Sequence, residues 1–168
     1  QLYDEKRRLF KIGINENAQG GEIGCYDLLM SEARMTGYYA VASSAVGKKH
    51  WSALGRTLTR KNGYMGMLSW SGTAFEYFMP QLFLPLYKDS FIYESVAFAA
   101  MMQKSHYSPW GISESGFYSF DSEMHYQYKA NGIPASDAGI TMQEEADVLK
   151  VLSKFPERVL QAIEEYEP

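Results

Sequence analysis

Two glutamates, Glu32 and Glu114, have neighbours that suit acid–base chemistry. Glu32 follows Leu28 by four residues and precedes Met35 by three, so a helix through this segment would place its carboxylate on the apolar face. A carboxylate on such a face costs several kcal/mol unless it is paired or its pKa rises. A raised pKa is what a general acid needs. The structural alternative is an ion pair with Arg34 or with another Arg from the following loop.

Glu114 lies in a loop with Gly111 and Gly116 on either side and Trp110 close by. Glycines permit backbone turns that other residues avoid, so this carboxylate could be aimed into a cleft. Its structural alternative is a solvated loop glutamate. Asp121 and Glu123 follow a few residues later and would supply a second acid or only line the rim.

Glu76 has a strong structural interpretation. The run from Thr73 to Glu76 fits the capping box, in which the Thr side chain caps a helix and the Glu side chain returns to the cap's own N–H. We therefore predict a capping role for Glu76, and a substrate contact is the alternative.

Composition excludes several classes of protein. The net charge of −4 opposes electrostatic nucleic-acid binding. The three histidines and the single Cys25 form no spaced metal motif, no strand-to-helix phosphate loop is present, and no apolar run reaches the roughly 20 residues of a membrane helix. We therefore expect no metal, no cofactor, no nucleic-acid partner and no membrane segment. Aromatic residues make up 15% of the chain, which suits an open, sugar-wetted cleft as well as a core.

The elements that must position these residues are mainly helical. Apolar spacing predicts helices over 26–46 (closed by Gly47), 73–84, 90–103 and within 142–165, and one strand over 65–70. Long loops rich in Gly, Ser and aromatic residues join them, and loops of this kind often carry function. The predicted fold class is mostly α with minor β.

Five motifs occur in a fixed order: YDLLMSEAR (26–34), HW with LGR (50–56), LSWSGTAFEY (68–77), PWGISES (109–115), and YQY with GIP (126–134). Together they resemble the glycoamylase-like domain of cyclic β-1,2-glucan synthases and related bacterial β-1,2-glucanases. The resemblance covers about residues 2–135. We predict that 1–135 is a portion of this domain and that 136–168 is a divergent or unrelated amphipathic helical tail.

The resemblance implies a partial (α/α)6 toroid with short β segments in its loops. It implies retaining glycosyl transfer (cyclisation or transglycosylation) or hydrolysis of β-1,2-glucan, with Glu32 as general acid/base and Glu114 as nucleophile. The predicted substrate-binding residues are Arg56, Trp70, Glu76, Trp110, Asp121 and Tyr126. The implied partners are the glucan and the rest of a larger synthase chain, in a bacterium, either on the cytoplasmic side of a membrane-anchored synthase or in the periplasm.

A second hypothesis is a non-catalytic glycan-binding or structural module within a larger synthase. The enzyme hypothesis requires both carboxylates in one cleft, about 5–10 Å apart, beside Trp70 and Trp110. Carboxylates that face apart, or that are both buried in ion pairs, would favour the binding module.

Overall fold

A computed structural model describes residues 2–14, 24–116, 120–130, 132–133 and 140–141. The elements, in chain order, are β1 (Tyr3–Asp4), β2 (Leu9–Phe10), α1 (Arg34–Ala42), α2 (Lys49–Ala53), β3 (Leu58–Lys61), β4 (Tyr64–Met67), α3 (Ala74–Phe78), a 3₁₀ turn (Met79–Leu82), α4 (Phe91–His106), β5 (Glu114–Gly116), β6 (Tyr128–Ala130) and β7 (Ile140–Thr141). In the part of the chain so described, no helix is long and apolar enough to cross a membrane.

The strands form antiparallel pairs. β1 pairs with β2, β5 pairs with β6, and β3 lies between β4 and β7 in a three-stranded sheet. The β3–β4 turn contains Asn62 and Gly63, both at positive φ (51° and 81°), as a two-residue hairpin turn of type I′ requires. This Asn-Gly pair was a readable hairpin signal, although apolar spacing predicted only one strand here, over 65–70.

The longest helix among the described residues, α4, packs directly on β4. At Gly66 a Cβ atom would lie 2.8 Å from the Cα of Ser95 and from the Cβ of Phe98, so only glycine allows this close approach. The Ser95 hydroxyl accepts a hydrogen bond from the Met67 N–H at 2.9 Å. The main apolar cluster contains Leu9, Cys25, Leu29, Met30, Leu54, Leu58, Met67, Tyr77 and Ala99.

The prediction of a mostly α, partial (α/α)6 toroid is wrong. Among the described residues, four short-to-medium α-helices alternate with antiparallel hairpins, and the fold mixes helix with strand. The antiparallel pairs lie within residues 3–10, where no element was predicted, within 58–67, where only the strand over 65–70 was predicted, and within 114–130, where a long loop was predicted.

The predicted helix over 26–46 is also wrong in its first third, because α1 begins only at Arg34. The backbone before α1 is hydrogen-bonded to segments remote in sequence. The Tyr26 N–H donates to the Phe10 carbonyl at 2.8 Å, and the Gly55 N–H donates to the Asp27 carbonyl at 2.6 Å. These long-range bonds replace the helical ones. Ser43, not Gly47, terminates α1.

The predicted helices over 73–84 and 90–103 agree closely with the structure. Thr73 caps α3, and the 3₁₀ turn continues it to Leu82, close to the predicted end. Ser90 caps α4, which extends three residues beyond the predicted end at 103. The helices predicted within 142–165 lie outside the described residues. Of residues 136–168, the structure describes only the backbone of β7, which pairs with β3.

Candidate functional site

Glu114 is the first residue of β5 and is held against the start of α3. The Ala74 N–H donates to the Ile112 carbonyl, and the Phe75 N–H donates to the Ser113 hydroxyl, both at 3.0 Å. These amides belong to the first turn of α3, where backbone N–H groups have no partner within the helix. The loop before Glu114 therefore satisfies the helix terminus, and this fixes where β5 begins.

Gln103, on the buried face of α4, joins the two loops of the site. Its side chain is 1% exposed. Its amide nitrogen donates to the carbonyls of Gly72 (3.1 Å) and Ile112 (3.0 Å), while its oxygen accepts from the N–H groups of Gly111 (3.2 Å) and Ile112 (2.7 Å). One side chain thus sets the spacing between the Trp70–Thr73 loop and the Trp110–Glu114 loop.

The Glu114 carboxylate accepts one hydroxyl at each oxygen. Tyr128, from β6, donates to Oε2, and Thr73 Oγ1 lies 3.4 Å from Oε1. Burial raises the pKa of Glu114, and the negative charges of Glu32 and Glu76 raise it further, against a lowering by the Thr73 hydrogen bond. The charges of Glu32 and Glu76 therefore both act on the Glu114 carboxyl.

Glu76 takes the predicted capping role, and both halves of the capping box with Thr73 are present. Glu76 is 4% exposed, and its carboxylate accepts from the hydroxyls of Ser69 and Ser71, both at 2.9 Å, and from the Thr73 N–H at 3.0 Å. The predicted sugar contact of Glu76 stays a prediction.

Glu32 lies in the turn before α1 and not on the face of a helix as predicted, because α1 starts two residues later. It is half-buried, and its Oε2 accepts from the Ser31 hydroxyl at 3.1 Å. Arg34 points instead into the core, where its Nη1 lies 3.0 Å from Met30 Sδ and burial lowers its pKa to about 10. The Glu32–Arg34 ion pair, the structural alternative for Glu32, is not among these contacts.

Tyr26 connects the two candidate catalytic glutamates. It hydrogen-bonds Glu32, and burial together with the charges of Glu32 and Glu114 raises its pKa. Its ring stacks on Trp70 at 5.7 Å between centroids and 4° between planes. The Trp70 indole N–H donates to Asp27 Oδ1 at 2.8 Å, and Trp70 remains 48% exposed. Glu32, Glu114 and a half-exposed tryptophan therefore share one region.

The other predicted substrate-binding residues differ in their surroundings. Arg56 donates to the carbonyls of Leu54 and Trp51 at the end of α2. Trp110 is 48% exposed and has Lys104 Nζ 4.8 Å from its ring centroid.

Asp121 and Tyr126 lie beyond the β5 strand. Asp121 accepts from the N–H groups of Glu123 and His125 and organises its own exposed turn. These backbone hydrogen bonds lower its pKa. Tyr126 is exposed, and its ring lies over Gly116, where a Cβ atom would collide with the hydroxyl. Tyr126 therefore lies next to β5 at Gly116, two residues after Glu114.

Four residues of this region were not singled out as site residues from the sequence: Tyr26, Thr73, Gln103 and Tyr128. Thr73 had a readable signal in its capping box. Tyr26 and Tyr128 lie within ordered motifs but carried no individual signal. Gln103 could be noticed only as a polar residue on an otherwise apolar helix. Within the described ranges, no group of three or more His, Cys, Asp or Glu side chains could hold a metal ion.

No protein-family model matches the chain. The chain is 37% identical over 137 residues to the cyclic β-(1,2)-glucan synthase NdvB of Rhizobium meliloti (strain 1021). The chain is related to a segment of this synthase. The alignment covers 79% of the chain but spans only 5% of the length of NdvB.

Proposed function

We propose that this chain acts on β-1,2-glucan by retaining glycosyl transfer (cyclisation or transglycosylation) or by hydrolysis, with Glu32 and Glu114 as its carboxylate pair. The relation to NdvB supports a role with this glucan. The observation that carries the proposal is the arrangement around Tyr26, whose ring stacks on the half-exposed Trp70 and whose pKa is raised by burial and by the charges of both Glu32 and Glu114. The assignment of this segment to the glycoamylase-like domain, which the ordered motifs suggest, is part of the proposal.

Two carboxyl groups near one glycosidic bond supply the necessary chemistry. One carboxylic acid protonates the leaving oxygen while the other carboxylate attacks the anomeric carbon, forming a glycosyl-enzyme ester. The first group, now a carboxylate, removes a proton from the incoming hydroxyl, which displaces the ester. Water as the acceptor gives hydrolysis, and a sugar hydroxyl gives transfer or ring closure.

The resemblance assigns Glu32 as the acid/base and Glu114 as the nucleophile. Hydroxyl donors at both Glu114 oxygens suit a carboxylate that must keep a fixed orientation. The raised pKa of Glu114 favours the reverse assignment, in which Glu114 carries the proton. The pair is therefore the proposal, and the roles are for experiment to assign.

Half-exposed tryptophans near the pair would stack on the apolar faces of pyranose rings. Trp70, held by Tyr26 and Asp27, is the better-fixed platform. Trp110 would form a second platform, and Arg56, Asp121, Glu76 and Tyr126 would fix hydroxyl groups. These contacts would also serve a glycan-binding module without catalysis, which is the alternative function.

The test is product analysis on linear β-1,2-glucan with the wild-type chain, Glu32→Gln, Glu114→Gln and the matched control Glu5→Gln, which lies on the exposed β1–β2 turn. We expect each site variant to lose at least a hundredfold in rate and the control to keep wild-type activity. Linear short products indicate hydrolysis, and cyclic products indicate transfer. A folded wild-type chain that binds glucan without turnover would refute catalysis in favour of the binding module.

Added azide distinguishes the two roles in the variants Glu32→Ala and Glu114→Ala. A glycosyl azide of retained anomeric configuration marks loss of the acid/base, because the covalent intermediate still forms. An azide of inverted configuration marks loss of the nucleophile, because azide attacks the sugar directly.

A further inference from the structure

Thr73 offers one hydroxyl hydrogen to two carboxylates. Its side chain is fully buried, and Oγ1 lies 3.1 Å from Glu76 Oε2 and 3.4 Å from Glu114 Oε1. Oγ1 also accepts the Glu76 N–H at 3.3 Å as the helix cap. A hydroxyl group has one hydrogen and two acceptor sites, so Thr73 cannot donate fully to both carboxylates at once.

The two carboxylates do not need this hydrogen equally. Glu76 Oε2 also accepts from the hydroxyls of Ser69 and Ser71 and from the Thr73 N–H. At Glu114 the Thr73 hydroxyl reaches Oε1, while Tyr128 occupies Oε2. The Glu76 carboxylate can therefore lose the hydrogen bond from the Thr73 hydroxyl and remain well hydrogen-bonded.

We propose that Thr73 is a positioning residue whose hydroxyl hydrogen turns towards Glu114 when Glu114 is a carboxylate and towards Glu76 when Glu114 is protonated. In the protonated state the Glu114 carboxyl hydrogen is donated to the second acceptor site of Oγ1, and the Thr73 hydrogen is donated to Glu76. No proton is exchanged between residues, because only the hydroxyl rotates. Glu114 thus keeps one orientation in both protonation states, which a group that alternates between acid and base requires. The catalytic consequence rests on the proposed function.

The groups around Glu114 set the direction of each effect. Glu32 from the turn before α1 and Glu76 from α3 raise its pKa by their charge, and Thr73 lowers it through its hydrogen bond. Tyr128 donates from β6, and Tyr26 is coupled to Glu114 from the segment after β2. Loss of the Thr73 hydroxyl should therefore raise the pKa of Glu114, whereas loss of the Glu76 charge should lower it.

These opposite directions separate positioning from simple damage. Thr73→Val and Glu76→Gln both disrupt the same capping box. A purely structural effect would therefore shift the pKa of Glu114 in the same direction in both variants. Thr73→Ser keeps the hydroxyl and should behave as wild type. Ser90→Ala removes the comparable hydroxyl cap of α4, away from Glu114, and serves as the matched control.

The experiment is a titration of the 168-residue chain by carboxyl ¹³C NMR, with the Glu114 resonance assigned through Glu114→Gln. We expect the Glu114 midpoint to rise in Thr73→Val, to fall in Glu76→Gln, and to stay unchanged in Thr73→Ser and Ser90→Ala. An unchanged or lowered midpoint in Thr73→Val overturns the proposal. If Thr73→Val does not fold, the decision passes to Glu76→Gln, where a midpoint that does not fall overturns it.

Activity gives a separate readout. In a chain that turns over glucan, the limb of the kcat/KM pH profile that follows Glu114 should move to higher pH in Thr73→Val, with kcat/KM lower by about tenfold, as loss of one hydrogen bond to a charged group implies. The NMR titration needs no substrate. An inactive wild-type chain would therefore refute the proposed function and leave the Thr73 result to stand or fall by itself.

Discussion

Replacement of Gln103 by leucine should weaken the attachment of both site loops to α4. Leucine has a similar length but removes the amide that holds the carbonyls of Gly72 and Ile112 and the N–H groups of Gly111 and Ile112. The N–H groups of Gly111 and Ile112 would lose their Gln103 acceptor at a position that is 1% exposed in the wild-type protein, while the carbonyls of Ile112 and Gly72 would keep only the N–H groups of Ala74 and Ile133. Both loops of the site should then separate from α4.

The size of the effect follows from the four hydrogen bonds of Gln103. At a net value of about 1 kcal/mol each, their loss costs about 4 kcal/mol. Burial of the added apolar surface of leucine returns about 1 kcal/mol. We therefore expect the free energy of unfolding to fall by about 3 kcal/mol, a large part of the 5–15 kcal/mol typical of a domain.

Urea unfolding followed by tryptophan fluorescence measures this loss, with Gln81→Leu as the matched control. Gln81 also has a buried amide, but among the described residues neither its Nε2 nor its Oε1 has a hydrogen-bond partner. The same substitution there should be neutral or stabilising, because it removes an unpaired polar group. Equal losses in the two variants would refute the argument that Gln103 acts through its loop contacts.

Three further predictions concern packing, pH and the tryptophan platform. Gly37→Ala should destabilise by about 1–3 kcal/mol in thermal unfolding, because the new Cβ would lie 2.7 Å from His50 Nε2; Gly47→Ala, where nothing lies within 4 Å, is the control and should change little. The folded-state pKa of Glu114 is raised, so its contribution to stability is fully present below the unfolded pKa and is lost as pH rises through the folded pKa. Glu114→Gln should therefore unfold at a higher temperature than wild type at pH 7, and the difference should vanish below about pH 4. A variant that is less stable than wild type at pH 7 would contradict this. Asp27→Ala should weaken calorimetric binding of β-1,2-gluco-oligosaccharides by about fivefold, the value of one hydrogen bond, because Trp70 loses the acceptor of its indole N–H; unchanged affinity would exclude Trp70 as a fixed platform.

Local rules predicted the elements whose signals are local. The Thr73–Glu76 capping box and the start of α4 after Ser90 depend on residues three or four positions apart, and both are confirmed. The same rules failed over 26–33, where the spacing of Leu28 and Met35 fits a helix. There the backbone pairs with Phe10 and Gly55, which are remote in sequence, and no local pattern reports such pairing.

The error over 26–33 changes the origin of Glu32 in the fold but not its candidacy. Glu32 reaches the site from a turn held by long-range backbone hydrogen bonds, not from a helix face. Helical spacing motivated interest in this residue for a reason that does not apply. The ordered motifs, which do not depend on secondary structure, still selected Glu32 and Glu114 together, and the charge of Glu32 raises the pKa of Glu114.

Polar residues on the buried face of α4 explain how the site is held together. Ser95 and Gln103 lie four residues before and after Ala99 on the same buried face. Each takes up backbone groups of a neighbouring segment: Ser95 binds Met67 of β4, and Gln103 binds both site loops. A polar residue that interrupts an apolar helix stripe therefore marks a place where another segment docks, and this signal was present in the sequence. Because Gln103 and Thr73 both act on the short stretch from Ile112 to Glu114, their substitutions share one structural element. Their effects should consequently be non-additive. A double-mutant cycle of Gln103→Leu with Thr73→Val, measured as free energies of unfolding, should show a coupling of about 0.5–3 kcal/mol.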